Sequence, residues 1–251
     1  MDWTEEALVL SSRPHGENGL IVHVLTAAHG RHAGFVNGGQ SRNGRPLWQA
    51  GNLVRATWQG RVSDQLGNLS GEMADAAAAR AMEDAMALDL LAAACAVADG
   101  ALPEREPHKP VFHALAALSA AIELGAALLP GLVAFEAGVL AQLGYGLDLD
   151  SCAATGATEN LVFVSPRTGR AVSAEAAGPW KERLFPLPGF MRGHAPATRA
   201  DLVDGLRITG HFLKERPFAA LHRDLPAART RLYDRVAAWA AESPESPCQT
   251  T

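Results

Sequence analysis

The chain is poor in cysteine. Cys95, Cys152 and Cys248 are odd in number and widely spaced, so neither a disulfide framework nor a four-cysteine zinc site can be built from them alone. No run reaches the roughly 18 uninterrupted apolar residues of a membrane span. The start, Met1-Asp2-Trp3-Thr4-Glu5-Glu6, is acidic where a secretory leader is basic, which makes the cytoplasm the expected location. Catalytic signatures are missing too: there is no nucleophile elbow, P-loop or dinucleotide fingerprint. Gly144-Tyr145-Gly146 lacks a third glycine and follows a helical pattern, so it reads as a helix stop. His15, His23, His29 and His32 crowd a short stretch, but without the spacing that sets two ligands on one helix or strand face. Structural or phosphate-contacting roles are expected for them, and neither enzyme activity, cofactor nor metal is assigned.

What is present is arginine. Between residues 7 and 61 stand Arg13, Arg31, Arg42, Arg45, Arg55 and Arg61, with no lysine and the single acid Glu17, although the chain carries a formal charge of -5. A basic block that opposes the sign of its own molecule suits an anionic polymer, because guanidinium groups hold phosphates and release condensed counterions. Residues 73 to 150 supply the opposing charge, with 11 acids against three basic residues, as on the solvated faces of a helical bundle.

The pattern predicts an α+β chain of several parts. Ala7–Ser11, Leu20–Leu25, Ala33–Val36, Leu53–Trp58 and Leu66–Met73 are short apolar runs separated by glycine-rich turns, which predicts five strands and a small barrel. An OB-type barrel is favoured, and an SH3-like one has the same strand count. Ala76–Ala101 is alanine-rich and predicted helical. Pro110 and Pro130 sit where helices begin. Val111, Leu115, Leu118 and Ile122 draw one buried stripe, and Leu132, Phe135, Val139 and Leu143 another. Residues 161 to 173 predict a two-stranded hairpin in an insert spanning about 147–197. Thr198 opens a helix with a capping-box-like start, with Leu202, Leu206, Thr209 and Leu213 as its buried line; Pro226 opens the last helix. The expected division is a nucleic-acid-binding barrel over 1–73 and a helical part over 74–251.

Arginine and aromatic residues interleave in the first part. Cations hold the backbone of a single strand and ring faces stack its bases, so the six arginines are the expected DNA contacts and Phe35 and Trp48 the expected stacking rings. Arg42 and Arg45, in the loop from Gly39 to Pro46, reach a backbone most easily. Trp58 alternates with Val54 and belongs inside.

Arg13-Pro14-His15-Gly16-Glu17, then Ile21–Thr26, then His29-Gly30-Arg31-His32-Ala33-Gly34 and Gly38-Gly39 resemble the amino-terminal barrel of the RecO family of bacterial recombination mediators. Leu143–Ala153 resembles the point where that family's helical bundle gives way to a zinc-ribbon-like insert. The resemblance implies an OB barrel, a helical bundle and a small insert that in many members binds zinc through four cysteines. Only Cys152 matches here, so the zinc does not carry over and the insert is a degenerate ribbon. It also implies binding of single- and double-stranded DNA, annealing, contact with the C-terminal tail of single-stranded-DNA-binding protein, and action with RecR to place RecA on coated strands. An acidic tail with apolar ends needs an apolar groove rimmed by cations, and Arg207, His211, Lys214 and Arg216 beside Phe212 and Leu213 are the expected rim. A protein adaptor with incidental arginines stays open as the alternative.

Overall fold

A computed structural model describes residues 2–60 and 66–242. Five strands, β1 (Asp2–His15), β2 (Gly19–Thr26), β3 (Gly30–Val36), β4 (Leu53–Gln59) and β5 (Gly67–Asp75), close in the order β1-β2-β3-β5-β4. All neighbours are antiparallel except β3 and β5, whose short parallel pairing at Gly34↔Gly67 and Phe35↔Asn68 shuts the barrel. Gly34 is required at that seam, because an added Cβ would lie 2.5 Å from Leu69 Cβ. This topology is the OB type that the spacing of apolar runs favoured over the SH3-like alternative.

The central run Ala7-Leu8-Val9-Leu10 is buried on both faces, which explains why β1 reads as uninterrupted apolar residues. Ala7 and Val9 belong to the barrel interior with Val22, Val24, Val54 and Trp58. Leu8, Leu10 and Leu25 face outward into the core of the helical part. One sheet face therefore fills the barrel while part of its back docks onto helices.

The alanine-rich stretch is two helices, α1 (Ala77–Ala81) and α2 (Ala85–Ala101), where the composition predicted one. Asp84 makes the break: its extended backbone and side chain, which accepts from Met86 N at 2.8 Å, cap α2 afresh. Next come α3 (Lys109–Ala120), a 3-10 segment (Ile122–Leu128) and α4 (Leu129–Gln142). The predicted stripes are buried in both helices, and only Leu143, just past α4, is half-exposed. The insert folds as a three-stranded sheet, where a two-stranded hairpin was predicted. In it β6 (Leu161–Val164) lies between β7 (Ala171–Ser173) and a two-residue β8 (Phe185–Pro186), with a short α5 (Ala174–Ala177) between β7 and β8. Then α6 (Arg199–Leu213) starts at the Thr198–Asp201 capping box, and α7 (Ala227–Ala241) closes the bundle. Arg229 of α7, Glu136 of α4 and Thr209 of α6 form a wholly buried ion-paired knot that ties these helices together.

Candidate nucleic-acid interface

The outer face of β1, β2 and β3 divides into two halves. In the half nearer the helices, Asp99 of α2 gathers three side chains of the barrel. Ser11 Oγ donates to it at 2.8 Å, His23 Nδ1 lies 2.6 Å from Oδ1, and Arg31 Nη1 donates at 3.1 Å. Arg31 also donates from Nε to Leu102 O at 3.0 Å and pairs with Glu104 at 3.3 Å, leaving its side chain 12% exposed. Burial alone would raise the Asp99 carboxyl; the bonds from His23 and Ser11 and the charge of Arg31 hold it below the ordinary aspartate value. Gly30 permits this docking, since at φ +66 its α-carbon faces the backbone of Glu106 so closely that a Cβ would sit 2.0 Å from the carbonyl oxygen. Arg31 is therefore withdrawn as a DNA contact. Its charge is spent inside the protein, on carboxylates nearly 70 residues away in sequence.

The other half is open. Register sets Arg13 opposite Ile21 and Ile21 opposite Phe35, and the His15 ring meets the Phe35 ring edge-on with centroids 6.0 Å apart. Arg13 and His15 are exposed and Phe35 is half-exposed. The β3–β4 loop is tied to this end: Gln40 Nε2 donates to Gly16 O at 3.1 Å and Gly19 O at 2.8 Å, and Gln40 N donates to Asn18 O. Within the loop, Ser41 accepts from the backbone of Gly44 and Arg45, so Arg42 and Arg45 project from a compact turn. Both are exposed, and neither has a carboxylate partner among the described residues. One barrel end thus assembles Arg13, Arg42, Arg45, His15 and Phe35.

Two other expected residues fall elsewhere. Arg55 is exposed as period two requires, but it lies on β4 between Glu6 of β1 and Glu72 of β5 in register. Two acids opposite it in register weaken its attraction for phosphate, and its place on β4 sets it apart from the basic end. Trp48 is only 2% exposed, packed in the barrel core, and cannot stack on a base. The tendency of tryptophan to serve at either surface or core hides this in the sequence. Arg61 lies outside the described residues.

The histidines have structural partners. Trp3, stacked on His29 at 5.0 Å and on Trp58 at 6.3 Å, shares with Trp58 an edge contact from His32. Burial pushes the His32 imidazole below its usual value, and the charge of Arg105 adds to this. The insert does not fit a zinc ion. Cys152 is buried, and its sulfur accepts from Ser173 N at 3.4 Å. Among the described residues no three histidine, cysteine or acidic groups converge on one point. Burial alone would raise the Cys152 thiol, yet the hydroxyl of Thr155 and the backbone N–H groups of Ser173, Ala154 and Thr155 bring it down to about 6.

The residues expected at the tail-binding rim lie against the insert. Arg207 lies over the Phe185 ring at 5.2 Å, His211 Nε2 is 3.0 Å from Pro166 O and packs on Phe185, and Arg216 donates to Arg167 O at 2.9 Å. These contacts hold the insert against α6 and the turn after it, while Arg207, Lys214 and Arg216 stay exposed. An apolar groove lies elsewhere, between α4 and the segment after β8, with a volume of about 680 Å³ and Val133, Ala137, Leu149, Phe190 and Met191 in its wall.

A closed OB-type barrel with one basic, half-aromatic end, backed by a helical bundle with a small insert, places the chain in the class of OB-barrel proteins, whose barrel faces bind oligonucleotides and oligosaccharides. Comparison with known proteins sharpens the class. Residues 1–77 match the family model for the recombination protein O N terminal and residues 82–223 that for its C terminal. The chain is 51% identical over 242 residues to the DNA repair protein RecO of Gluconacetobacter diazotrophicus, covering 94% of this chain and 95% of that one. It is 52% identical over 240 residues to that of Acidiphilium cryptum, covering 94% and 96%. It is 49% identical over 239 residues to that of Rhodospirillum centenum, covering 94% of each. The chain belongs to the RecO family of DNA repair proteins.

Proposed function

We infer that this protein is a non-enzymatic mediator that holds DNA, single-stranded and double-stranded, at the open end of its barrel, without sequence preference. The observation that carries this reading is the convergence of Arg13, Arg42 and Arg45 beside Phe35, with no carboxylate partner for any of the three among the described residues. Cations on a compact loop hold phosphates, and a half-exposed ring offers a stacking face tolerant of any base. Handing over or annealing strands requires charge attraction and no nucleophile. Family membership supports the further steps: annealing of complementary strands, action with RecR, contact with the tail of single-stranded-DNA-binding protein, and delivery of RecA to coated single strands in the cytoplasm, at the nucleoid. The α4 groove, walled by apolar side chains, offers a seat for the apolar end of such a tail.

The test is a titration of fluorescent oligonucleotides of unrelated sequence at low and physiological salt. Binding of similar strength for all sequences, weakening steeply with salt, is expected. No binding at either salt would leave the adaptor reading, in which barrel and bundle hold only proteins.

A further inference from the structure

The barrel is not the only basic surface. In the insert, on α6 and in the π-helical turn after it (Lys214–Phe218), Arg167, Lys181, Arg183, Arg207, Lys214 and Arg216 are all exposed, and none is ion-paired among the described residues. Where these cations are anchored, their partners are neutral. Lys181 Nζ lies 6.0 Å from the Phe163 ring centroid, Arg207 lies over Phe185, Arg183 lies over Trp180 at 5.3 Å, and Arg216 donates to a carbonyl. Neutral anchors fix a guanidinium or ammonium in place without cancelling its charge. Elsewhere the same residue type is neutralised: Arg31 by Asp99 and Glu104, Arg80 by Asp75 and Glu123, Arg170 by Asp148, Arg229 by Glu136, and Arg235 by Asp89. The acids facing the patch are Glu182, Glu215 and Asp204. Burial raises the Asp204 carboxyl, against the pull of Arg207.

At the edge of this patch stands Trp180, 57% exposed on a 3-10 turn (Gly178–Arg183). An exposed indole ring with a guanidinium on one side, among six cations that have no ion-pair partner among the described residues, is the pairing of stacking face and phosphate contact used for single strands.

We propose that the insert, Arg207 of α6 and the Lys214–Arg216 turn after it form a second contact surface for single-stranded nucleic acid, with Trp180 as its stacking platform. Phe163 and Phe185 in the three-stranded sheet hold the cations in place. A protein with two such surfaces on one chain brings two strands together, and the insert has this use without zinc. The proposal deepens the barrel reading, since annealing by one molecule needs both surfaces.

The experiment uses the full chain and tryptophan emission. Trp3, Trp48 and Trp58 are buried and Trp239 is half-buried under Arg199, so Trp180 is the fluorophore most open to a bound base. A short oligothymidylate is expected to quench wild-type emission, and Trp180→Phe, which keeps a ring, is expected to abolish the quenching. In the Arg42→Ala/Arg45→Ala variant the Trp180 quenching is expected to persist, which separates failure of this proposal from failure of the barrel reading. Lys181→Glu/Arg183→Glu/Lys214→Glu, checked for fold by circular dichroism, is expected to slow annealing of complementary oligonucleotides by about tenfold. It should lower the salt slope of single-strand binding by about 2, at roughly 0.7 per phosphate contact. Wild-type emission unmoved by the oligomer, or quenching that survives in Trp180→Phe, overturns the proposal. So does quenching by an acidic peptide but not by oligothymidylate, which would make the patch a protein-docking surface.

Discussion

Arg13 and Arg31 stand on the same outer face of the same barrel, on strands joined through β2, and meet opposite fates. Arg31 is enclosed by Asp99, Glu104 and a carbonyl where the helical part docks. Arg13 lies beyond that contact, with Phe35 and the Arg42–Arg45 loop for neighbours. What separates a structural arginine from a binding one is the partner that folding brings to it. An ion pair formed within the protein leaves little net charge for a phosphate, whereas an uncancelled guanidinium attracts one over about a Debye length.

Substitutions that break this contrast differ in size. Arg229 is the extreme of the enclosed kind, so Arg229→Met strands the buried Glu136 carboxylate and is expected to cost about 3–5 kcal/mol in urea unfolding. Arg31→Ala removes charge-assisted hydrogen bonds at a site still partly open to solvent and is expected to cost roughly 2–3 kcal/mol. The same variant is expected to leave the salt slope of DNA binding unchanged; a drop in slope would return Arg31 to the interface. Arg42→Ala/Arg45→Ala reverses this pattern, with stability changed by no more than about 0.5 kcal/mol because neither side chain is packed.

The smallest effect concerns pH. His32 has a lowered folded-state value, so the unfolded chain binds more protons once pH falls below about 6.5, and stability declines from there down through the folded value. His32→Phe keeps an aromatic ring beside Trp3 and Trp58 and is expected to flatten that part of the stability–pH curve, measured by urea unfolding at several pH values. An unchanged curve would mean that another group titrates there. Asp99 acts in a lower window. Its depressed carboxyl contributes stability that is complete above the unfolded aspartate value, near 3.9, and is lost as pH falls through the folded value.

Local pattern accounts for the elements that the sequence made legible. Period-two alternation in β4 placed Arg55 outside and Trp58 inside, and glycine turns separated the strands, although β1 runs from Asp2 to His15, well beyond the expected Ala7–Ser11. The Thr198 capping box and the proline starts placed the helices. Three matters stayed hidden, one because a single capping residue outweighs the propensity around it and two because they depend on residues distant in the chain. Asp84 splits an alanine run whose propensity alone favours one helix. Glu6 and Glu72 flank Arg55 only after β1 and β5 have paired with β4. The basic line on α6 has helical spacing whether it faces water or, as here, an insert folded against it. Of the expected contacts at the barrel, Arg13, Arg42, Arg45 and Phe35 fall together at one end, and nothing in composition distinguished them from Arg31, Arg55 or Trp48.

The salt dependence of single-strand binding, compared between Arg42→Ala/Arg45→Ala and Arg55→Ala, bears most directly on the division between open and cancelled arginines. The slope is expected to fall by about 1.4 for the loop pair, two phosphates at roughly 0.7 each, and to stay unchanged for Arg55→Ala. An unchanged slope for the loop pair, or an equal fall per arginine for Arg55→Ala, would contradict the account.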